Sequence, residues 1–290
     1  MRVLIGNKMC VGVVVIRKFE TLVFNIKRDG DRHLRGKIAE LIFEKVSSKL
    51  FRTLVENIVI CSTSSVRQFL HGIKYCQGEL WYKSAFYGGS FKLKDLVDML
   101  PHYKDILKKE SWEEIEFFRR KLGIKVLQVF FQPGHCVLCW RPLNGSERSW
   151  GICCGCYMAA KSKLEKKELK ELEDVVKEIT NEVSKAKLVG VFGDVLRVVS
   201  KLSVEDVLFL QEVYCGYLTG PTPFDYIGVA PDGSEKCLID VTSTRSGSTA
   251  GLSLKERKVA ELAKRHGFKI LVPVIYFGDN WNVVIKIEEL

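Results

Sequence analysis

The sequence predicts an α/β chain, α+β overall, with strands near both ends and helices between them. Three observations lead to this fold class. β-type runs fill much of residues 1–27, and residues 224–287 read as strand, strand, helix, strand, strand. Between these ends, the charged segment Ala159–Leu188 carries apolar residues at helical spacing and predicts a long amphipathic helix.

The opening segment predicts an antiparallel meander. Its runs Met1–Ile5, Cys10–Ile16 and Thr21–Ile26 are separated by short turn segments. A helix is predicted next over His33–Leu50, because apolar residues recur there at helical spacing. Those residues are Leu34, Ile38, Leu41, Ile42 and Val46.

The middle of the chain yields shorter elements. Leu93–Leu100 and Trp112–Leu122 predict helices, the second ended by Gly123, and Lys125–Phe131 predicts a strand. The sequence allows three alternative roles for the long amphipathic helix that follows. It can pack on the body of the protein, pair with another helix in a homodimer, or link two domains.

The C-terminal segment has clear start and stop signals. Ser203 with Asp206 marks the start of a helix over 204–217. Ser253-Leu-Lys-Glu256 is a capping box that opens a further helix, and Gly267 is a natural C-terminal cap for it. The four predicted strands around this helix are Phe224–Val229, Lys236–Ser243, Ile270–Phe277 and Trp281–Ile287.

Net charge, hydropathy and cysteine content indicate which partners and which cell compartment to expect. The 290 residues carry a formal net charge of +10, which favours phosphate-rich partners, nucleic acid first among them. The alternative is that the charge serves solubility alone. No run of about 18 apolar residues predicts a membrane span, and the N-terminus does not resemble a signal peptide. The ten cysteines therefore point to a reducing cytoplasm.

Four cysteines form the most specific motif. They stand as two C-x2-C pairs with thirteen residues between the pairs: Cys136, Cys139, Cys153 and Cys156. Two tight knuckles joined by a short hairpin bring four thiolates around one tetrahedral ion, which predicts a zinc-ribbon-like module. Cys154 can replace Cys153, and His135 can replace one cysteine. A closed four-thiolate site leaves no position for water, so the zinc is predicted to be structural.

Basic and aromatic residues surround this motif. Trp140, Arg141, Arg148 and Trp150 can contact phosphates and stack on bases. Alternatively, the two tryptophans pack the core of the small module. Many zinc ribbons carry glycine after the second cysteine of a knuckle, whereas Trp140 and Tyr157 stand there in this chain.

Two aspartates on neighbouring predicted strands form the second motif. A hairpin brings Asp225 and Asp240 towards one point, and such a pair binds Mg²⁺ or Mn²⁺ through hard oxygen ligands. The ion would activate water and neutralise charge on a phosphate. Along the second strand Asp240 and Thr242 share one face, and a charge between apolar neighbours is costly unless it is ligated or paired. The alternative is an aspartate that caps the turn or pairs with Arg245.

Residues 220–290 resemble the PD-(D/E)xK nuclease superfamily, in its Mrr-like and NO VEIN C-terminal-type branches. Pro-Phe-Asp225 stands where that family has its first aspartate, and Asp240-Val241-Thr242 stands at its (D/E)-x-K triplet. The resemblance implies a restriction-endonuclease-like fold, with a mixed sheet flanked by helices, and metal-dependent hydrolysis of phosphodiesters. It also implies that Asp225 and Asp240 hold Mg²⁺ or Mn²⁺ with help from the Val241 carbonyl.

The chain departs from the family at Thr242, where the family has a lysine that positions the water and stabilises developing charge. Either a lysine from elsewhere substitutes, with Lys255 and Lys258 on the following helix as the nearest candidates, or the site is inactive. The family often adds an acid from its first helix, which implies a role for Glu40. That role requires the zinc segment to be an insertion in the nuclease core, whereas its rival Glu212 requires none.

The predicted organisation has four parts. Residues 1–130 form an N-terminal α+β region, 131–158 the zinc module, and 159–190 the amphipathic helix. Residues 191–290 form the nuclease-like domain, completed by helix 33–50 if Glu40 contributes. The leading interpretation is a metal-dependent endonuclease acting on DNA. The alternatives are a nuclease-like protein that binds nucleic acid without cleaving it, and a zinc-stabilised interaction protein.

Overall fold

The computed structural model describes residues 2–4, 10–16, 36–45, 58–84, 89–108, 112–126, 131–216, 223–244, 252–277 and 283–290. It is a mixed α+β structure that divides into two compact units. Unit 1 comprises Met1–His71 and Arg197–Leu290, and unit 2 comprises Gly72–Leu196. Unit 2 is therefore inserted between the two chain segments of unit 1.

The described elements are numbered along the chain. The strands are β1 Arg2–Leu4, β2 Cys10–Ile16, β3 Val59–Ser62, β4 Ile73–Cys76, β5 Glu79–Lys83, β6 Ser90–Lys92, β7 Tyr226–Val229, β8 Lys236–Ile239, β9 Thr242–Ser243, β10 Lys269–Phe277 and β11 Val283–Glu289. The helices are α1 at 36–45, α2 Thr63–Leu70, α3 Leu93–Asp98, α4 Tyr103–Lys108, α5 Glu113–Leu122, α6 Glu147–Trp150, α7 Cys154–Lys163, α8 Lys166–Val199, α9 Val204–Gln211 and α10 Leu254–Arg265. A π-helical turn, Glu212–Gly216, follows α9.

Unit 1 is built on a mixed sheet with the strand order β1-β2-β11-β10-β8-β7-β3, in which β9 also pairs with β10. β7 is antiparallel to both of its neighbours, β3 and β8, while β8 and β10 are parallel. A parallel pair needs a crossover connection, and α10 supplies it. The predicted pairing of β1 with β2 is confirmed, and the third predicted run, Thr21–Ile26, lies outside the described residues.

The predicted strand Lys236–Ser243 is interrupted in its middle. β8 and β9 keep one register against β10. Asp240 donates its N–H to the Leu271 carbonyl at 3.0 Å. In this register the Asp240 carbonyl would next accept a hydrogen bond from the backbone N–H of residue 273, which is Pro273. Proline has no N–H. The strand therefore breaks at Asp240-Val241, between β8 and β9.

Helix α1 packs on the sheet of unit 1. The ring of Phe43 lies 5.2 Å from that of Tyr226, and the Tyr226 hydroxyl donates to Glu44 at 3.2 Å. These contacts fix α1 beside β7, and Glu40 lies one helical turn before Glu44. The predicted helix is described over 36–45 only. Buried residues of the same core include Ala39, Ile42, Ile58, Ile239, Leu271, Ile275, Ile285 and Ile287.

Unit 2 combines a three-stranded antiparallel sheet, β4-β5-β6, with helices. α5, α7 and α8 contribute buried residues to one hydrophobic core, which also includes residues of the cysteine segment. The predicted helix Ala159–Leu188 is instead two helices, α7 and α8. Leu164 is extended, which ends α7, and Glu168 caps the start of α8 by accepting the Glu165 N–H at 3.2 Å. Leu164 thereby buries its side chain in the core.

Several predicted helix signals are confirmed. The capping boxes of α9 and α10 are both formed, and Gly123 adopts the left-handed conformation after α5. α3 occupies most of the predicted segment 93–100. The predicted strand Lys125–Phe131 is not formed over its described residues, and 127–130 lie outside them. In the described part of the chain, no helix combines the length and apolar character needed to cross a membrane.

Candidate functional site

The four predicted cysteines converge in unit 2. Their Sγ atoms all lie within 4.8 Å of one another, and those of Cys139 and Cys153 are 3.6 Å apart. Four sulfurs at the usual zinc–sulfur distance around a tetrahedral ion are about 3.8 Å apart. The cluster therefore fits a closed zinc site. Among the described residues, it is the one group of three or more His, Cys, Asp or Glu residues placed to share an ion.

The structure decides between the alternative ligands. Cys153 belongs to the cluster and is buried, whereas Cys154 is exposed and lies outside it. His135 is also outside the cluster. Its ring stacks on Trp140, with centroids 5.3 Å apart.

The first cysteine pair lies in a tight turn. Cys136 donates its N–H to the Arg141 carbonyl, and Trp140 donates to the Cys136 carbonyl, both at 2.8 Å. Trp140 has a φ of 67°, in the left-handed region that favours glycine. It thus adopts the conformation of the glycine found here in many zinc ribbons, at a cost of about 1–2 kcal/mol. Its contacts with His135 and Phe131 offset that cost.

The second cysteine pair corrects the prediction of two knuckles joined by a hairpin. Cys153 is the N-cap residue of α7, and its Sγ accepts the N–H of Cys156 at 3.4 Å. The short helix α6 lies in the connection between the two pairs. A helix N-terminus favours negative charge, so this geometry stabilises thiolates better than a second hairpin would.

Arg119 supports the first knuckle and was not identified from the sequence. Its guanidinium is buried, with Nε donating to the Leu138 carbonyl at 3.0 Å and Nη2 donating to the Val137 carbonyl. Nη1 pairs with Glu116. An arginine on a charged helix is expected to be exposed. The sequence pattern that could have indicated its burial is its position four residues after Ile115, which places it on the apolar face of α5.

The thiols of the cluster differ in their readiness to ionise. A hydrogen bond from Cys156 lowers the pKa of Cys136 to about 5, whereas burial raises the pKa of Cys139 to about 11. The pKa of Cys156 is raised further, chiefly because its thiol donates to Cys136. Four thiolates therefore need a cation among them, and zinc binding would release protons.

A second site lies in unit 1, where Asp225 precedes β7 and Asp240 follows β8. Asp225 donates its N–H to the Ile239 carbonyl at 2.9 Å, and its Oδ2 accepts the N–H of Val241 at 2.8 Å. The carboxylate of Asp225 therefore lies against the backbone that carries Asp240. The structure brings these two predicted residues together.

Both carboxyl groups hold their protons more tightly than usual. Burial raises the pKa of Asp225 to about 6, against the effect of the hydrogen bond from Val241. Burial and the charge of Asp225 raise the pKa of Asp240 to about 7. The charges of Glu40 and Glu256 also raise both pKa values. A carboxylate cluster of this kind marks a candidate cation site.

The two rival acids differ in position. Glu40, on α1, is half-buried and acts on both aspartates, whereas Glu212 is exposed on the π-helical turn. Glu40, Asp225 and Asp240 do not form a second group as close as the cysteine cluster within the described residues. A metal ion at this site would therefore be held by the aspartate pair with backbone or water oxygens.

Thr242 and the candidate lysines lie on β9 and α10. Thr242 is half-buried and pairs with Val274. Lys258 is exposed and Lys255 half-buried. Glu256, in the first turn of α10, adds negative charge to the site. This charge is opposite in sign to that of the lysine found in the family.

The segment around Asp225 is anchored by Thr63, the first residue of α2. Its N–H and its hydroxyl both donate to the Asp225 carbonyl, at 2.8 and 3.0 Å, and the hydroxyl is 2.5 Å from the Phe224 carbonyl. Thr63 is fully buried. The contact joins residues far apart in the chain, and no local sequence signal indicates it.

Tyr214 places a buried hydroxyl near the carboxylate pair. It lies in the π-helical turn, with a side chain 2% exposed, and its hydroxyl has no hydrogen-bond partner among the described residues. Burial and the charges of Asp225 and Asp240 raise its pKa far above the ordinary value. An unsatisfied buried hydroxyl costs about 1–3 kcal/mol, and π-helical turns occur frequently at functional sites.

Comparison with known proteins identifies no relative. No protein-family model, no curated protein and no solved structure matches the chain. Function is therefore inferred from the chemistry of the cysteine cluster and of the carboxylate pair.

Proposed function

We propose that the protein is a nuclease that hydrolyses DNA phosphodiesters with Mg²⁺ or Mn²⁺ in unit 1, and that unit 2 carries a structural zinc. The observation that carries this proposal is the contact of the Asp225 carboxylate with the backbone beside Asp240. Two half-buried carboxyl groups with raised pKa values at one end of the β7–β8 pair are suited to a divalent cation.

The division of the chain into units 1 and 2 supports the proposed nuclease function. The resemblance gives Glu40 a role only if the zinc segment is an insertion, and unit 2 is inserted within the chain of unit 1. The helix with Glu40 then belongs with β3, β7, β8, α10 and β10 in one structure. This arrangement agrees with a restriction-endonuclease-like fold, a mixed sheet flanked by helices.

The residues have separate roles in the proposed reaction. Asp225 and Asp240 hold the ion, with the Val241 carbonyl as a further ligand, and the bound ion supplies Lewis acidity and an activated water. The Val241 N–H orients the Asp225 carboxylate. Glu40 adds charge that strengthens attraction for a cation. Thr242 offers a hydroxyl to the substrate but no positive charge.

The zinc site has a structural role in this proposal. Four sulfur ligands complete a tetrahedral shell, so no position is open for water or substrate. The cysteines bind zinc as thiolates, which suits a reducing compartment such as the cytoplasm.

The second candidate function is nucleic-acid binding without cleavage, favoured by Thr242 at the lysine position of the family. Glu256 makes this edge of the site more acidic and gives no compensation for the missing charge. This candidate predicts salt-dependent binding to DNA and no cleavage with any divalent ion.

Cleavage assays separate the two candidates. The zinc-loaded protein is incubated with single- and double-stranded DNA and RNA, with Mg²⁺ or Mn²⁺ and without either. We expect metal-dependent cleavage of DNA that is lost in Asp240→Asn and retained in Asp232→Asn, a control in the exposed β7–β8 turn. Cleavage that survives Asp240→Asn would overturn the proposed nuclease, and binding without cleavage would establish the second candidate.

A further inference from the structure

A cavity of about 380 Å³ lies in unit 2, beside the second cysteine pair. Trp150 and Tyr157 form its aromatic walls, and Ile152, Leu172 and Val176 provide apolar surface. Its volume lies within the range of about 300–1,000 Å³ typical of small-molecule sites. Its lining includes none of the four cysteines of the cluster and neither Asp225 nor Asp240.

The two tryptophans of the cysteine segment have different surroundings. Trp140 packs against His135 and Phe131, in the core of the module. Trp150 is 54% exposed, and its ring centroid lies 6.2 Å from that of Tyr157 at an interplanar angle of 46°. Trp140 therefore stabilises the module by packing, whereas the exposed indole of Trp150 is available to a ligand in the cavity.

Polar groups also line the cavity. Glu173 and Lys177, one turn apart on α8, are both exposed, and Ser149 lies at the end of α6. The Tyr157 hydroxyl donates to Glu173 at 3.2 Å, which holds the ring and the carboxylate together. The cavity thus offers an acceptor and donors beside aromatic faces. A nucleobase has a flat π-face and an edge with both donors and acceptors.

We propose that this cavity binds one unpaired nucleobase of a nucleic-acid strand, which stacks on Trp150 with its polar edge towards Glu173 and Lys177. The proposal goes beyond the nuclease function because it requires binding and no cleavage. The choice of nucleobase over another aromatic ring rests on the nucleic-acid partner of that function and on the net charge of +10. A base within a duplex cannot enter, since its faces are covered by neighbours.

The cavity depends on the zinc site. Ile152 directly precedes Cys153 and Tyr157 directly follows Cys156, so two wall residues are fixed by metal ligands. The binding experiment therefore uses the full-length, zinc-loaded protein without Mg²⁺ or Mn²⁺, which keeps the cavity intact and prevents cleavage during the measurement.

Fluorescence anisotropy with a labelled single-stranded DNA of mixed sequence tests the proposal, with the matching duplex for comparison. Trp150→Ala should weaken single-strand binding by roughly 5- to 150-fold, the value of one base stacked on an aromatic ring. Trp150→Phe should retain most of the affinity. Met158→Ala, which removes another exposed apolar side chain nearby in the chain, is the control and should change little.

Each outcome decides the proposal. Loss of single-strand affinity in Trp150→Ala, with duplex affinity and folding by circular dichroism unchanged, supports it. Single-strand binding equal in Trp150→Ala and Met158→Ala overturns it and points to an apolar protein segment as the occupant. Absence of single-strand binding in the wild-type protein also overturns it. These results are independent of duplex cleavage by unit 1, so either proposal can fail while the other stands.

Discussion

Val241 donates its backbone N–H to Oδ2 of Asp225 at 2.8 Å, just beyond the paired residues of β7 and β8. If the register of β7 and β8 continued, Val241 would stand opposite Phe224, whose carbonyl accepts the Thr63 hydroxyl. The Asp225 carboxylate accepts the Val241 N–H and is held beside Asp240. The end of a hairpin is thereby converted into a two-carboxylate site.

This arrangement predicts how stability depends on pH when the site holds no divalent ion. The folded-state pKa values of Asp225 and Asp240, about 6 and about 7, lie above the ordinary 3.8. Between about pH 4 and pH 7 the folded protein then binds more protons than the unfolded one, so the free energy of unfolding falls as pH rises. The two groups together lower the free energy of unfolding by several kcal/mol at pH 7.5.

Chemical denaturation at pH 5 and pH 7.5 measures this effect. The double variant Asp225→Asn/Asp240→Asn keeps acceptors for the Val241 N–H but removes both charges, so it should be more stable than the wild-type protein at pH 7.5. The difference should shrink at pH 5. Equal stabilities of wild type and variant at both pH values would contradict the burial of the carboxylate pair.

The assignment of Cys153 and not Cys154 as a zinc ligand can be tested by substituting each residue. Cys153→Ser should lose the bound zinc and lower the melting temperature, because three thiolates leave the tetrahedral shell open. Cys154→Ser changes an exposed neighbour outside the cluster and should keep one zinc per chain. Zinc content by atomic absorption, measured with the melting curve, checks both. Zinc loss from Cys154→Ser alone would exchange the roles of the two residues.

The sequence was informative where a feature depends on local chemistry. The C-x2-C spacing predicted the cysteine cluster, and the turn before β8 predicted the approach of Asp225 and Asp240. Start and stop signals also predicted α10, since a capping box and a C-terminal glycine act within a single helix. In each case the residues that decide the structure are near neighbours in the chain.

Features that depend on distant residues were missed. The break between β8 and β9 follows from Pro273 on another strand, and the end of α7 follows from burial of Leu164 in a core assembled by several helices. Thr63 anchors Asp225 across more than a hundred and sixty residues. Periodicity within one segment contains no information about such partners.

Arg119 provides a test of the support around the first knuckle. Arg119→Met should lower the free energy of unfolding by about 3 kcal/mol or more, because it leaves two buried carbonyls without charged donors. Arg120→Met is the matched control, since Arg120 is exposed and donates only to the Glu116 carbonyl in the described structure. Urea denaturation with zinc content at each step distinguishes loss of the arginine from loss of the metal. Similar effects of the two substitutions would contradict the assigned role.

Tyr214 tests whether the carboxylate pair is a working site. Tyr214→Phe removes only a hydroxyl that has no hydrogen-bond partner among the described residues, so the protein without divalent ions should become more stable, by about 1 kcal/mol. If that hydroxyl binds a water or phosphate oxygen beside Asp225 and Asp240, the same substitution should reduce Mg²⁺-dependent cleavage by about tenfold, the effect of one lost hydrogen bond of about 1.4 kcal/mol. Melting temperature and single-turnover cleavage are measured on one preparation. A more stable variant with reduced cleavage fits a hydroxyl kept for function, whereas a less stable variant would mean that the hydroxyl has a structural partner in solution.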